Sequence, residues 1–203
     1  MTIPPANVTI VQKLGAPARG AMLTHLQRLS HEDRRLRFGV YMTDPALAHY
    51  VADIDFAHDH VFGILGSDLT LLGMAHLALD RDKSFAELGL SVDPVYRGRG
   101  YGLALLERGR LAAVNRGYRT LFMHCLTENK VMVRLARKAG LRLITQEGEV
   151  DALLALENTN LGAMAAEAMA DQIALADYFL KRQFQWAFRS ARARDTTGAA
   201  GAR

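Results

Sequence analysis

The chain has one cysteine, Cys125, in 203 residues. No internal disulfide can form, and no Cys-x-x-Cys or Cys/His zinc spacing is present. There is no apolar run long enough to span a membrane. There is no basic–apolar–cleavage leader at its start, so the expectation is a cytoplasmic protein. Charge of one sign is also scarce: 25 Lys and Arg against 21 Asp and Glu leave +4. An excess of that size does not argue for nucleic acid, and no nucleic-acid partner is expected. Much of it is local, in Lys181, Arg182, Arg189, Arg192, Arg194 and Arg203, with Asp195 the only acid after Lys181. No Gly-Lys-Ser or Gly-Lys-Thr tripeptide occurs, which excludes a P-loop.

What is present is a chain whose residues are half hydrophobic, enough for one sizeable core and an appendage. Its most informative segment is Val92-Asp93-Pro94-Val95-Tyr96-Arg97-Gly98-Arg99-Gly100-Tyr101-Gly102. An apolar run from Leu88 to Val92 enters a turn at Asp93-Pro94. Three glycines alternate with larger residues, and a helical pattern follows through Leu103, Leu106, Arg110, Ala113 and Val114. Strand, glycine turn and helix N-terminus together make an anion cradle. Glycines let backbone N–H groups approach a ligand closely, and the first helical turn offers unpaired donors at the positive end of its dipole. Arg97 and Arg99 add positive charge. The glycines are spaced G-x-G-x-G, which is not the dinucleotide pattern G-x-G-x-x-G.

The spacing R-x-x-G-x-G at Arg97, Gly100 and Gly102 resembles the signature of the GNAT family of N-acetyltransferases. Downstream, Leu126-Thr127-Glu128-Asn129 ends a second apolar strand, and a helix then stops at Lys138-Ala139-Gly140-Leu141. This resembles the family's "x-x-E-N, helix, K-x-G-F/L" ending. The likeness covers roughly residues 8–156, with residues 85–143 carrying most of it, and bacterial protein-lysine acetyltransferase domains resemble it most. It implies an α/β fold with a mixed central sheet of six to seven strands flanked by helices. It implies acetyl-CoA as co-substrate, with no metal, and a primary amine as acceptor, either a protein lysine or a small amine.

The order of elements agrees with that resemblance. Residues 1–7 read as a flexible lead and Val8–Leu14 as a strand. Pro17 opens a helix with Met22, Leu26 and Leu29 on one face. Ser30 begins a second through a capping-box variant, and Asp44-Pro45 a third as N-cap and first position. Strands follow at 60–65, 69–79 and 85–92, with Gly66-Ser67-Asp68 as a hairpin turn. Then come a helix at 100–116 ending at Gly117, a strand at 120–126, a helix at 130–139, and strands at 142–147 and 150–156. A catalytic domain at 8–156, a helical extension at 157–194 and a disordered tail at 195–203 are expected. In the extension, Leu161, Met164, Ala168, Ile173, Ala176, Phe179, Leu180, Phe184 and Ala187 form an apolar stripe. Two readings stand open: a helix packed on its own core, or a surface for a homodimer or another partner helix. A membrane contact is not expected, because the basic residues cluster only at the end of the helix.

The resemblance also assigns roles. Glu87, in Ala86-Glu87-Leu88-Gly89, stands at the offset of a family glutamate that removes the proton of the attacking amine; an exposed strand glutamate or a substrate-orienting group is the other reading. The backbone at Leu90 and Val92 would hold the pantetheine arm, and Arg97, Gly98, Arg99, Gly100, Tyr101 and Gly102 its pyrophosphate. Asn129 matches a cofactor-contacting asparagine and serves equally as an N-cap. Ala136 departs from the family, many of whose members carry there a tyrosine that protonates the leaving thiolate; His124 and Cys125 are nearby substitutes to weigh. The missing tyrosine supports an alternative, a non-catalytic acyl-CoA-binding sensor. Arg34, Arg35, Arg37 and Phe38 resemble an R-x-R-F segment that walls the acceptor site, or form a solvated basic face. Asp53, Asp55, His58, Asp59 and His60 look like metal ligands by composition and like a solvated loop by habit.

Overall fold

The computed structural model describes residues 9–82, 84–157 and 159–198, with residues 186–198 as backbone. The lead at 1–7 and the end of the tail at 199–203 lie outside the described residues. Seven strands form one mixed sheet: β1 (Gln12–Leu14), β2 (His60–Leu65), β3 (Leu71–Leu79), β4 (Phe85–Val92), β5 (Thr120–Leu126), β6 (Arg142–Gln146) and β7 (Glu149–Ala155). Their order is β1-β2-β3-β4-β5-β7-β6. All neighbours are antiparallel except β4 and β5. Helices α1 (Arg19–Arg28), α2 (His31–Phe38) and α3 (Asp44–Asp53) join β1 to β2; α4 (Tyr101–Asn115) and α5 (Lys130–Lys138) flank β5, and α6 (Leu161–Gly198) follows β7.

The alternation of β4 sends its side chains to two different cores. Ala86, Leu88 and Leu90 are buried with Leu105 and Leu106 of α4 and Ala136 of α5. Glu87, Gly89 and Ser91 face the other way, toward α1 and α2. On that side Met22 and Leu26 of α1 and Leu47 and Val51 of α3 pack on Val61 and Met74 of the sheet.

Several expected boundaries shift for local reasons. The first strand pairs only over Gln12–Leu14. Helix α3 is capped by Thr43, whose hydroxyl accepts from the Ala46 amide at 3.3 Å, so Asp44 and Pro45 are the first two helical residues rather than cap and first. Strand β3 begins at Leu71 because Leu69 takes a left-handed conformation (φ 61°) and the Asp68 carboxylate accepts from the Thr70 amide and hydroxyl.

The long helix α6 continues to Gly198, past the expected end near Arg194, and its polar side faces the domain. Arg108 of α4, only 5 % exposed, holds Glu167 at 3.1 Å and also Asp171. Asn115 donates to Glu167 at 2.7 Å, the Gln12 amide to the Ala174 carbonyl at 3.1 Å, and Lys181 to the Leu65 carbonyl at 2.8 Å. Burial pushes the Glu167 carboxyl up, but Asn115, Arg116 and Arg108 outweigh it and hold the group below its ordinary range. The apolar stripe therefore points outward: Leu161, Met164, Ile173, Phe179, Leu180 and Phe184 are exposed. The reading in which this stripe packs on the chain's own core is corrected, since a buried arginine draws the acidic residues inward. Ala187, at the end of the stripe, has no described side chain.

His25 of α1 is fully buried and ties two strands together. Its Nδ1 donates to the Leu71 carbonyl (3.1 Å) and its Nε2 accepts from the Ser91 hydroxyl (2.9 Å). Burial drives its pKa down to about 4, the Leu71 carbonyl works against this, and the Arg28 charge works with it. Between the ordinary value near 6.5 and 4, the unfolded chain binds a proton that the folded chain refuses. This site's contribution to stability is complete above pH 6.5 and falls, by about 3 kcal/mol, as pH drops through that window. Denaturant titrations at pH 7.5 and pH 5 span the upper part of that window and are expected to show about 2 kcal/mol of the loss, with a smaller share from half-buried His60, also lowered to about 4 by burial. His25→Gln should flatten the slope; an unchanged slope would remove His25 as its cause.

Candidate active site

Parallel pairing between β4 and β5 is confined to Phe85–Glu87 against Thr120–Phe122. Beyond Glu87, β4 stays with β3 through Val92, while β5 stays with β7 through Leu126. The two strands part, and among the described residues the β5-side edge of β4 from Leu88 onward has no strand partner. A cavity of about 320 Å³ opens there, lined by Leu90, Ser91 and Val92, the loop with Arg97, Gly98 and Gly100, the start of α4, Asn129 and α5, and by Asp33, Leu36 and Arg37 of α2.

The glycine loop closes one end of this cavity. Gly98 (φ 77°) and Gly100 (φ 84°) are left-handed, a conformation that costs other residues about 1–2 kcal/mol. Gly100 is the N-cap of α4 and has no side chain to occupy the first-turn donors. Tyr101 and Gly102 follow in that first turn and line the cavity. The amides of this turn are thus left for an anion, which fits the diphosphate of acetyl-CoA. The two loop arginines differ. Arg97 is not a free charge as the sequence suggested: its Nη2 donates to Asp33 at 2.7 Å and its Nε to the Val92 carbonyl at 3.1 Å, so it clamps the loop to α2 and β4. Arg99 lies over the Tyr96 ring at 5.2 Å and is exposed.

Arg37 lines the cavity away from the loop, and Glu87 stands on β4 outside its lining. Glu87 is exposed on the α1–α3 face of the sheet, and its charge acts on both Tyr50 and His76. Arg37 lies against Gly89, two residues further along β4; a Cβ at position 89 would collide with its Nη1, Nη2 and Cζ atoms. Behind Arg37 runs a chain of hydrogen bonds with no local signature in the sequence. Arg37 donates to the Tyr50 hydroxyl at 3.4 Å, Tyr50 donates to His76 Nδ1 at 2.8 Å, and His76 Nε2 donates to Asp59 at 3.0 Å. Burial pushes Tyr50 up and His76 down, so both stay neutral at pH 7. The four residues are far apart in sequence, and only the packing of α2 and α3 on β3 brings them together.

Other candidates fall into structural roles. Arg34 is buried and holds the Leu29, Met42 and Gln27 carbonyls and Asp44. Arg35 pairs with Glu32 and Glu128. Asn129 does cap α5, accepting from the Met132 amide at 3.1 Å, and donates to the Leu36 carbonyl at 3.2 Å. Ala136 is buried in the core. Cys125 is buried with its thiol pushed up by burial and by Asp151. His124 donates to Asp151 at 3.0 Å. In the acidic–histidine cluster, Asp55 pairs with His58 and Asp59 with His76. Among the described residues, no three His, Cys, Asp or Glu side chains are grouped to hold a metal ion. Among them, too, no helix is long and apolar enough to cross a membrane.

The model of the acetyltransferase (GNAT) family matches residues 24–141. The chain belongs to this family. The match runs from α1 to the residue before β6 and includes the glycine loop, Glu87 and Asn129. Solved structures share the fold. The GNAT domain of S. lividans PAT is 19% identical, with a TM-score of 0.63 over 72% of this chain and 89% of that one. The yncA protein of Salmonella typhimurium, solved with its cofactor acetyl-CoA, is 13% identical, with a TM-score of 0.56 over 74% and 95%. The ribosomal-protein-S18-alanine N-acetyltransferase of Escherichia coli is 18% identical, with a TM-score of 0.58 over 74% and 96%. A search of curated proteins gave no match. As a member of the GNAT family the chain is an N-acetyltransferase, and acetyl-CoA is its acyl donor.

Proposed function

We propose that this acetyltransferase moves acetyl directly from acetyl-CoA to a primary amine within a ternary complex, with Glu87 as the base. The observation that carries the reading is the parting of β4 from β5 at Glu87, which puts an unpartnered strand edge between a carboxylate and an anion cradle. Pantetheine is an extended apolar chain with two amides, and the backbone at Leu90 and Val92 offers it the place of a missing strand. The amides from Gly98 to Gly102 would take the pyrophosphate, with Arg99 adding charge and Arg97 holding the loop. Asn129 would meet the arm from the start of α5. A backbone N–H of β4 would stabilise the oxyanion formed on the thioester carbonyl.

An alkylamine with a pKa near 10.4 is almost wholly protonated at pH 7, so transfer needs a proton acceptor beside the thioester. Glu87 is exposed, so it can take the proton and pass it to water. Its open position suits a lysine side chain on a protein as well as a small amine. Residues 8–156 would make the catalytic domain and residues from 157 a separate extension. Glu87→Gln is expected to cut turnover by about 10²–10⁴-fold while leaving acetyl-CoA affinity, measured by calorimetry, unchanged. Full turnover in that variant, across a panel of lysine peptides and small amines, would remove Glu87 from the base role.

The partner inferred for α6 is a second copy of this chain. Between Leu161 and Gln185 the charged residues are Glu167, Asp171, Asp177, Lys181 and Arg182; the first four have partners on the domain or beside it, and Arg182 alone is exposed. A face so poor in charge suits neither a charged partner nor an anionic membrane. Its eight exposed large apolar side chains, Met169 and Leu175 with Leu161, Met164, Ile173, Phe179, Leu180 and Phe184, present on the order of 800 Å², about what one partner gives to a stable interface. Sedimentation is expected to give a dimer, split by Phe179→Asp with Leu180→Asp; a monomeric parent chain would contradict it.

A further inference from the structure

We propose that Arg37 is a catalytic residue whose guanidinium receives the negative charge of the departing sulfur, an anion site built into the acyl end of the cofactor cleft. This rests on the acetyl-CoA cleft proposed above. With the pyrophosphate at the glycine loop and the arm along β4, the sulfur arrives beside Gly89, where Arg37 lies. The arginines nearby are already neutralised: Arg28 by Asp93, Arg34 by Asp44, Arg35 by Glu32 and Glu128, and Arg97 by Asp33. Arg37 holds no carboxylate among the described residues, and its one side-chain hydrogen bond is the long contact to Tyr50. A cation lodged against a glycine and lining the cavity is a site prepared for an anion.

Tyr50, His76 and Asp59 are positioning residues. The Asp59 carboxylate accepts from His76 Nε2, which fixes the tautomer and leaves Nδ1 to accept the Tyr50 proton. The Tyr50 oxygen is then free to accept from Arg37. Each donor points toward Asp59, so the chain holds the guanidinium over Gly89 without supplying a proton. This answers the absence of an acid at Ala136. As the amine nitrogen bonds to the carbonyl carbon, its surplus protons pass to Glu87 and on to water. The C–S bond breaks with its electron pair on sulfur. The thiolate leaves as an anion against a guanidinium that stays charged throughout, and takes its proton from water afterwards.

The test separates binding of the thiolate from catalysis. CoA and desulfo-CoA, which lacks the sulfur, are titrated calorimetrically against the full chain from pH 7 to pH 10. Parent protein is expected to favour CoA increasingly as the thiol ionises, by about tenfold, which is one unit of thiol pKa. Glu87 on β4, Tyr50 on α3, His76 on β3, Asp59 before β2, and Asp33 and Lys138 along the cavity are the same in the parent and in the Arg37 variants, so the change between them reports on Arg37. The expected losses are therefore specific: Arg37→Gln abolishes the pH-dependent preference, Arg37→Lys keeps part of it, and Tyr50→Phe weakens it. Gly89→Ala abolishes it too, because the new Cβ must push the guanidinium aside while Arg37 remains. Unchanged desulfo-CoA affinity in each variant certifies an intact cleft. A preference that rises equally in Arg37→Gln would overturn the proposal, as would a defect confined to the KM of the acceptor, which would make Arg37 a reader of the acceptor. Failure of the parent chain to bind either ligand would overturn the cleft itself, whereas retained turnover in Glu87→Gln would touch only the base.

Discussion

After Glu87 the parallel pairing of β4 with β5 stops, and the remaining parts of the site take their places from that gap. Each strand keeps its antiparallel partner: β4 remains on β3 from Ala86 to Val92, and β5 remains on β7 from Thr120 to Leu126. The sheet divides into two antiparallel halves that share a short parallel seam. Helix α2 touches both β4 and β5 across the gap. A strand edge inside a protein must satisfy its backbone donors and acceptors somehow. An extended ligand with amides of its own could do so, which is why the proposed site lays pantetheine there.

Charge is distributed along this cleft with little redundancy. At the loop end, the proposed anion site is made of backbone amides with Arg99 exposed nearby, while Arg97 is held by Asp33 and serves as a fastener. At the proposed acyl end, Glu87 and the Arg37 guanidinium of α2, which lies against Gly89, stand two residues apart along one face of β4, in the proposed roles of taking protons and facing negative charge. Each needs its own shape of backbone. The loop requires left-handed glycines, and Arg37 requires a residue without Cβ at position 89. The buried histidine on α1 joins this arrangement from below, because the Ser91 hydroxyl it accepts from belongs to the strand that carries Glu87.

Much of this was legible in the sequence where the information is local. The glycine loop, the capping serine before α2, β5 and the helix cap at Asn129 are each fixed by neighbouring residues, and they fall where the sequence places them. What was not legible depends on distant partners. Nothing near Arg37, Tyr50, Asp59 or His76 announces that four separate elements will place them in one line. Arg97 reads as free charge until Asp33, far back in the chain, is found beside it. The stripe on α6 is visible as periodicity, but its direction is not. That direction is decided by Arg108, a buried cation on α4 whose need for carboxylates turns Glu167 and Asp171 inward and the leucines and phenylalanines out.

The most direct measurement of the cleft is residue-resolved amide hydrogen exchange with and without saturating acetyl-CoA. The account predicts new protection at the amides of Gly98 to Leu103 and along the β5-side edge of β4 from Leu88 to Val92, with β2 and β3 unchanged. Protection that spared both segments and appeared instead along β1 and the facing side of α6 would contradict it.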